Sequence, residues 1–217
     1  LITQALLNAK GIELEVNIIS GCAVLPVARN TLVAMFMQDP EATDLFFIDS
    51  DVGFDATAVL KLLKCPAKIV AGVYPLKQDN PGYPVQIKTI DGVPIGKEGL
   101  VEADYLPTGF MRIKREVIEA MYKAYPELKH RNSFVKTVNA EVDEMYDLFN
   151  MGLSDDEEWR TEDYAFCHRW TKIGGQLWVY PDIDFTHTGN KAFKGNYLGY
   201  LSGRDRAIKA LKDVANQ

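Results

Sequence analysis

The sequence predicts an α/β domain: a mixed, mostly parallel sheet flanked by helices, joined by a small antiparallel element. Three observations carry this. Short, nearly continuous apolar runs alternate with stretches of helical period, the pattern of strands buried on both faces under crossover helices. The runs stop where carboxylate, glycine or proline begins, so each element has a legible end. A single Asp91-Gly92 pair lies between alternating runs, the signal for a tight hairpin.

Taken in order, "LITQALLNAKG" reads as the end of a helix closed by Gly11, and "IELEVNIIS" as a strand. The helix "ARNTLVAMFMQ" and the strand "DLFFID" follow. The helix "DATAVLKLLK" is started by Asp55 as N-cap and stopped before Pro66, and "AKIVAGVY" is the next strand. After Tyr74 the texture changes to the hairpin region. "FMRIK" is then a short strand feeding the helix "REVIEAMYKAYP". The polar span over residues 127–156 reads as a long excursion with little regular structure, the kind that forms lids or partner-binding loops. "TEDYAFCHRWTKIGG" is a helix with Thr161 at its N-terminus and Gly174 at its C-terminus, followed by the strand "QLWVYP" and the segment "DIDFTHTGNKAFKGN". An amphipathic helix over residues 203–214 closes the chain. No repeat, low-complexity tract or linker divides it, so residues 1–217 read as one domain.

Composition bounds the function. At 217 residues, 47% hydrophobic and 25% charged, the chain has a substantial core, which excludes disorder and fibre. A net charge of −6 argues against a surface that neutralises duplex nucleic acid, but leaves room for one anionic small molecule received by a metal or a few basic groups. Cys22, Cys65 and Cys167 are widely spaced with no CxxC, which predicts free thiols and a cytoplasmic, reducing setting. No apolar run is long enough to span a membrane.

The stretch "DLFFIDSDVGF" drives an apolar strand into Asp49 and Asp51. In an α/β sheet, ligands bind at the carboxyl ends of the strands, and two carboxylates this close repel unless a cation or proton intervenes. Gly53 lets the backbone approach closely. The bland alternative is a strand-end aspartate followed by an ordinary turn former.

Together, "ARNTLVAMF", "TDLFFIDSDVGFDATAVLKLL", "KIVAGVYPLK", "LPTGFMRIKREVIEAM" and "TEDYAFCHRWTKIGGQLWVYPDIDFTHTG" resemble, in this order, the GT-A fold glycosyltransferases, notably viral and bacterial members. Most narrowly they resemble a chlorella-virus type that glycosylates capsid protein. The resemblance covers residues 17–194. It implies a GT-A, Rossmann-like sheet and a metal-dependent transfer from a nucleotide sugar, UDP-linked by expectation, to a hydroxyl of a glycan or glycoprotein. If the chain is viral, the setting is the host cytoplasm. It further implies that Asp49, Asp51 and His187 hold Mn²⁺ or Mg²⁺ against the donor diphosphate. Arg29, Asn30, Ser50, Thr108, Gly109, Lys191 and Lys194 fall on the donor side, and Tyr74 on the acceptor side. Asp163, with Glu162 beside it, matches the base that takes the acceptor proton. The family usually opens with a base-cradling strand, expected before Leu1.

Residue by residue, plainer readings stay open. His187 suits a strand end that bonds a backbone carbonyl, Arg29 a core ion pair, and Asp163 a first helical turn favoured by the dipole. Two other functions compete. "FFIDSDV" also satisfies the haloacid-dehalogenase-type phosphatase signature, with Asp49 as nucleophile and Asp182 and Asp184 as late metal ligands. It fits less well, because the motif leads directly into a helix and lies third in strand order. A catalytically inactive sugar-binding module on the same fold is the other.

Overall fold

The computed structural model describes residues 2–80, 82–131, 142 and 144–203. Helix α1 (Ile2–Asn8) ends in a turn where Gly11 takes φ +70°, a conformation that costs glycine little. The expected strand after it does not form. Residues 12–20 run without a sheet partner, and Val16 and Ile18 stand exposed. The alternation in "IELEVNIIS" has strand period, but Glu13, Glu15 and Asn17 have no place in a sheet covered on both faces.

Helix α2 (Leu25–Gln38) carries Pro26 in its first turn, where a missing N–H costs nothing. Strands β1 (Asp44–Ile48) and β2 (Val52–Phe54), helix α3 (Thr57–Lys64) and strand β3 (Ile69–Ala71) follow. Asp55 opens α3 as expected: its Oδ1 accepts from the N–H and the hydroxyl of Thr57, at 2.8 and 2.6 Å. Short strands β4 (Gln86–Ile87), β5 (Thr89–Ile90), β6 (Val93–Pro94) and β7 (Gly96–Lys97) lead to β8 (Leu100–Tyr105). The β5–β6 hairpin turns at Asp91 and Gly92, both with positive φ, as its Asp-Gly pair predicts.

Strand β9 (Phe110–Lys114) runs into helix α4 (Arg115–Ala124). The polar excursion carries two small ribbons, β10 (Lys129–Arg131) with β11 (Glu144–Tyr146) and β12 (Gly152–Leu153) with β13 (Trp159–Arg160). Helix α5 (Glu162–Lys172) starts after Thr161 and ends at Gly174, which takes φ +88°. Strands β14 (Leu177–Val179), β15 (Asp184–Thr188) and β16 (Ala192–Asn196) follow, and the described residues end in helix over 197–203. The expected helix over residues 203–214 lies outside the described residues apart from its first position.

The main sheet has the order β1-β9-β3-β14-β8-β4, with β7 also on β8. Its only parallel ladder among the described residues is β3–β14, so the sheet is mixed, and the expectation of a mostly parallel sheet is corrected. Strands β1, β3 and β14 do point the same way. The returning strand β9 slots between β1 and β3, and β8 lies beside β14, which makes each of those ladders antiparallel. A continuous apolar run reports burial on both faces and is indifferent to strand direction.

Both faces are covered. Ile69 and Ala71 of β3 enter a core built with α2, α4 and α5 (Val33, Ile118, Phe166), while Val70 enters a second core built with α1 and α3 (Leu7, Val59, Leu62). Two arginines from the β9–α4 junction finish neighbouring helices. Arg112, fully buried, donates to the carbonyls of Leu62 (3.0 Å), Cys65 (2.7 Å) and Ala67 (2.7 Å) at the end of α3. Arg115 donates to the carbonyls of Phe36 (3.0 Å), Asp39 and Ala42 (2.7 Å) at the end of α2. Each supplies donors to carbonyls at a helix end, where the i+4 N–H partners run out. No helix among the described residues is long and apolar enough to cross a membrane.

Register fixes what meets at one edge. Ile48 of β1 faces Phe110, and Ala71 of β3 faces Met111. The ends of β1 and β3 therefore coincide with the start of β9. A smaller sheet, β16-β15-β2, brings His187 opposite Val52, one residue beyond Asp51.

Candidate functional site

At that edge β1 leaves the sheet in a turn: the N–H of Asp49 donates to Gly109 (2.9 Å), and Val52 closes back onto the carbonyl of Asp49 (3.0 Å). The turn gives its two carboxylates different partners. Asp49 Oδ1 accepts from the Arg29 guanidinium at 2.7 Å. Arg29 comes from α2, is buried over the Phe47 ring at 5.0 Å, and leaves its Nε without a hydrogen-bond partner.

Asp51 turns the other way. Its Oδ2 accepts from Lys77 Nζ at 2.6 Å and lies 3.6 Å from His187 Nε2. Partial burial works to raise the pKa of Asp51, but the Lys77 ammonium, with His187, outweighs it and holds the carboxyl below its usual range. His187 Nδ1 is 2.8 Å from the carbonyl of Pro75. A carbonyl only accepts, so Nδ1 carries a proton, and Nε2, the nitrogen turned towards Asp51, is the one left for a ligand. That is the arrangement of a metal-ligating histidine with its second nitrogen anchored.

A divalent ion with bonds of about 2.0–2.2 Å fits between two ligand atoms 3.6 Å apart. Asp51 and His187 are thus close enough to share a divalent ion such as Mn²⁺ or Mg²⁺. Asp49 is paired through Oδ1 with Arg29.

Tyr74, three residues beyond β3, fills the centre. Its ring meets His187 edge-on at 4.9 Å. Burial first, then the charges of Asp49 and Asp163, push its phenol well above the ordinary range. Both carboxylates therefore lie near one hydroxyl. Gly109 makes room for it: a Cβ there would sit 2.4 Å from Tyr74 Oη. Thr108, next to it, is buried.

Helix α5 presents Glu162 and Asp163 to the same edge. Asp163 Oδ1 accepts from the Thr161 hydroxyl (2.7 Å) and from the N–H of Tyr164 (2.9 Å), which fixes the carboxylate. Glu162 is raised above the usual carboxylate range, by burial first and then by Asp163, with Arg29 pulling the other way. The fold thus brings Arg29, Asp49, Asp51, Tyr74, Thr108, Gly109, Glu162, Asp163 and His187 to one edge.

Other predicted residues sit differently. Asn30 is buried with both polar ends engaged, its Nδ2 donating to Asp147 (2.6 Å) and its Oδ1 accepting from the N–H of Phe149 (3.1 Å). It holds α2 to the excursion. Lys191 pairs with Asp79 and lies over the Phe193 ring, Lys194 stands exposed on β16, and Ser50 is exposed on the turn. Lys77 is the residue the sequence reading missed, since a lysine in a polar loop carries no pattern.

A second group lies apart. Asp155, Asp156 and His168 offer ligand atoms within 4.8 Å of one another. Lys172 already pairs with Asp155, which His168 Nε2 also approaches at 3.2 Å, and Arg160 holds Asp156, so the carboxylates are engaged by basic groups. It borders a cleft of ≈ 250 Å³ whose lining includes Tyr125, Arg160 and His168 and none of the residues gathered at the sheet edge.

No protein-family model and no curated protein matches the sequence. Among solved structures, the chain is similar to the crystal structure of A197 from STIV, at 20% identity and a TM-score of 0.47, over 84% of this chain and 76% of that one.

Proposed function

We propose that this chain is a metal-dependent glycosyltransferase of GT-A type, moving a sugar from a nucleoside-diphosphate sugar to a hydroxyl of a glycan or glycoprotein. The observation that carries the reading is a single sheet edge where a cation-ready pair, Asp51 and His187, meets Tyr74, and where an oriented carboxylate, Asp163, is near enough for its charge to act on the same phenol. When bound, Mn²⁺ or Mg²⁺ supplies charge to offset the diphosphate leaving group. Asp51 and His187 would hold it, Arg29 fixes Asp49 in place, and Thr108 and Gly109 would form the wall beside the donor sugar. The acceptor oxygen bonds to the anomeric carbon as the bond from that carbon to the diphosphate oxygen breaks. Asp163, its Oδ1 anchored, takes the acceptor proton on its other oxygen. Three free thiols suit a cytoplasmic setting.

The phosphatase alternative needs Asp182 and Asp184 beside Asp49. Asp184 opens β15 opposite Asn196, three residues or about 10 Å along the strand from His187, and both aspartates are exposed and shared with Asn196. That placement disfavours it.

Calorimetric titration tests the metal. Nucleoside diphosphates (UDP, GDP and ADP in parallel) should bind with Mn²⁺ present and lose that affinity in EDTA or in Asp51→Ala; equal affinity with and without the ion would end this reading. Turnover tests the base and separates an enzyme from an inactive sugar-binding module. Asp163→Asn should lower transfer by about 10²- to 10⁴-fold while donor and metal binding persist.

A further inference from the structure

Lys77 makes the closest polar contact to the carboxylate that the metal is to use. Its Nζ lies 2.6 Å from Asp51 Oδ2, the same oxygen that faces His187 Nε2 at 3.6 Å. One oxygen cannot serve the ammonium and a divalent ion equally, because two cations within bonding distance of it repel. We propose that Lys77 is the built-in counter-ion of Asp51, displaced by the divalent ion and transferred to the diphosphate that arrives with it. This rests on the glycosyltransferase reading above.

The loop that carries Lys77 is held so that the ammonium stays at the site after it leaves Asp51. Leu76 N–H donates to Gly82 (2.8 Å) and closes the loop. Pro75, two residues before Lys77, accepts from His187, and Asp79, two residues after, pairs with Lys191. The stem of Lys77 crosses Gly189, where a Cβ would stand 3.1 Å from Lys77 Cδ. Residues 76–79 and turn 189–191 are thus held together beside Asp51, with the ammonium of Lys77 at that carboxylate.

Charge dictates where it goes. Arg29 balances Asp49 and Lys77 balances Asp51, so these four groups sum to zero. A divalent ion alone adds two positive charges beside an ammonium that is already paired with Asp51. A nucleoside diphosphate removes that excess and offers the displaced ammonium a new partner of the kind lysine favours, a compact phosphate charge. Metal and diphosphate should therefore bind synergistically, and Lys77 should be the residue that couples them.

The test is Lys77→Met, with Lys88→Met at the opposite edge of the sheet as a control for net charge. Isothermal calorimetry is run with MnCl₂ alone, then with UDP, GDP and ADP in saturating Mn²⁺. Lys77→Met should bind Mn²⁺ alone more tightly, by about 2- to 10-fold, because its competitor is gone. It should bind the nucleoside diphosphate that the wild type retains more weakly, by about 10-fold, because a charge-assisted bond is lost. Lys88→Met should match the wild type in both. Unchanged or weaker Mn²⁺ binding in Lys77→Met would overturn the competition, and tighter Mn²⁺ binding with unchanged diphosphate affinity would overturn the hand-over. A wild type that binds neither Mn²⁺ nor any of the three nucleotides would overturn the glycosyltransferase reading itself.

Discussion

Two neighbours on one helix, Arg29 and Asn30, face different parts of the molecule: one braces Asp49, the other ties α2 to Asp147 and Phe149. Consecutive helical positions point about 100° apart, so adjacency in sequence could not place both at the site. Asp49 and Asp51 were legible because they end an apolar strand, whereas Asp163 and His187 were expected only from the resemblance. Lys77 ends no such strand, and only folding reveals it. The fit between Gly109 and Tyr74 is equally invisible, and it is testable. Gly109→Ala should displace the phenol, lowering transfer by at least about 10-fold and stability by about 1–3 kcal/mol, read from turnover and a urea melt. Full activity would show that the position of the hydroxyl is immaterial. Glu162 gives a pH signature. Its pKa is raised on folding, so its contribution to stability is fully present below the ordinary carboxylate range and is lost as pH rises through the raised value. Glu162→Gln should remove that loss: the melting temperature of the mutant relative to wild type should rise between about pH 4 and about pH 7. A difference that is flat across the range would contradict the burial.

At the scale of elements, apolar period located β1, β3 and β9 correctly and their directions poorly, because burial on both faces looks the same in a parallel or an antiparallel neighbour. The same limit produced the missing strand over residues 12–20. Period was present there, but the glutamates had nowhere to point. Charged residues inside "FMRIKR" gave no sequence signal for what they do. Arg112 and Arg115 are helix terminators acting from another element, each serving carbonyls at the end of α3 or α2. Arg112→Met should therefore cost about 3 kcal/mol or more, since it takes the guanidinium away from the Cys65 and Ala67 carbonyls and leaves Leu62 with only the Cys65 N–H, and Arg112→Lys should not restore it, because an ammonium cannot reach the same fork of carbonyls. Urea denaturation measures both. A loss below about 1 kcal/mol would mean that water takes over those carbonyls.

For the whole molecule, the α/β class and the shared sheet edge were readable because strands alternate with helices and because chemistry in such sheets gathers where strands end. The path of β9 and β8, which decides what stands next to what, was not, since it depends on long-range pairing that local patterns do not encode. That pairing has a further consequence. Arg29, Asp49, Tyr74, Gly109, Asp163 and His187 come from segments spread over 158 positions between the first and the last of them, and β9 must be seated between β1 and β3 before they can meet. No hairpin or contiguous fragment holds the set. The site is consequently among the last features to assemble, after loop closures that make such a chain slow to fold. Occupancy then becomes a report on the integrity of the entire sheet: a ligand bound there protects amides of β1, β3 and β9 together from hydrogen exchange, and cutting the chain at any exposed loop between residues 29 and 187 and separating the pieces abolishes binding.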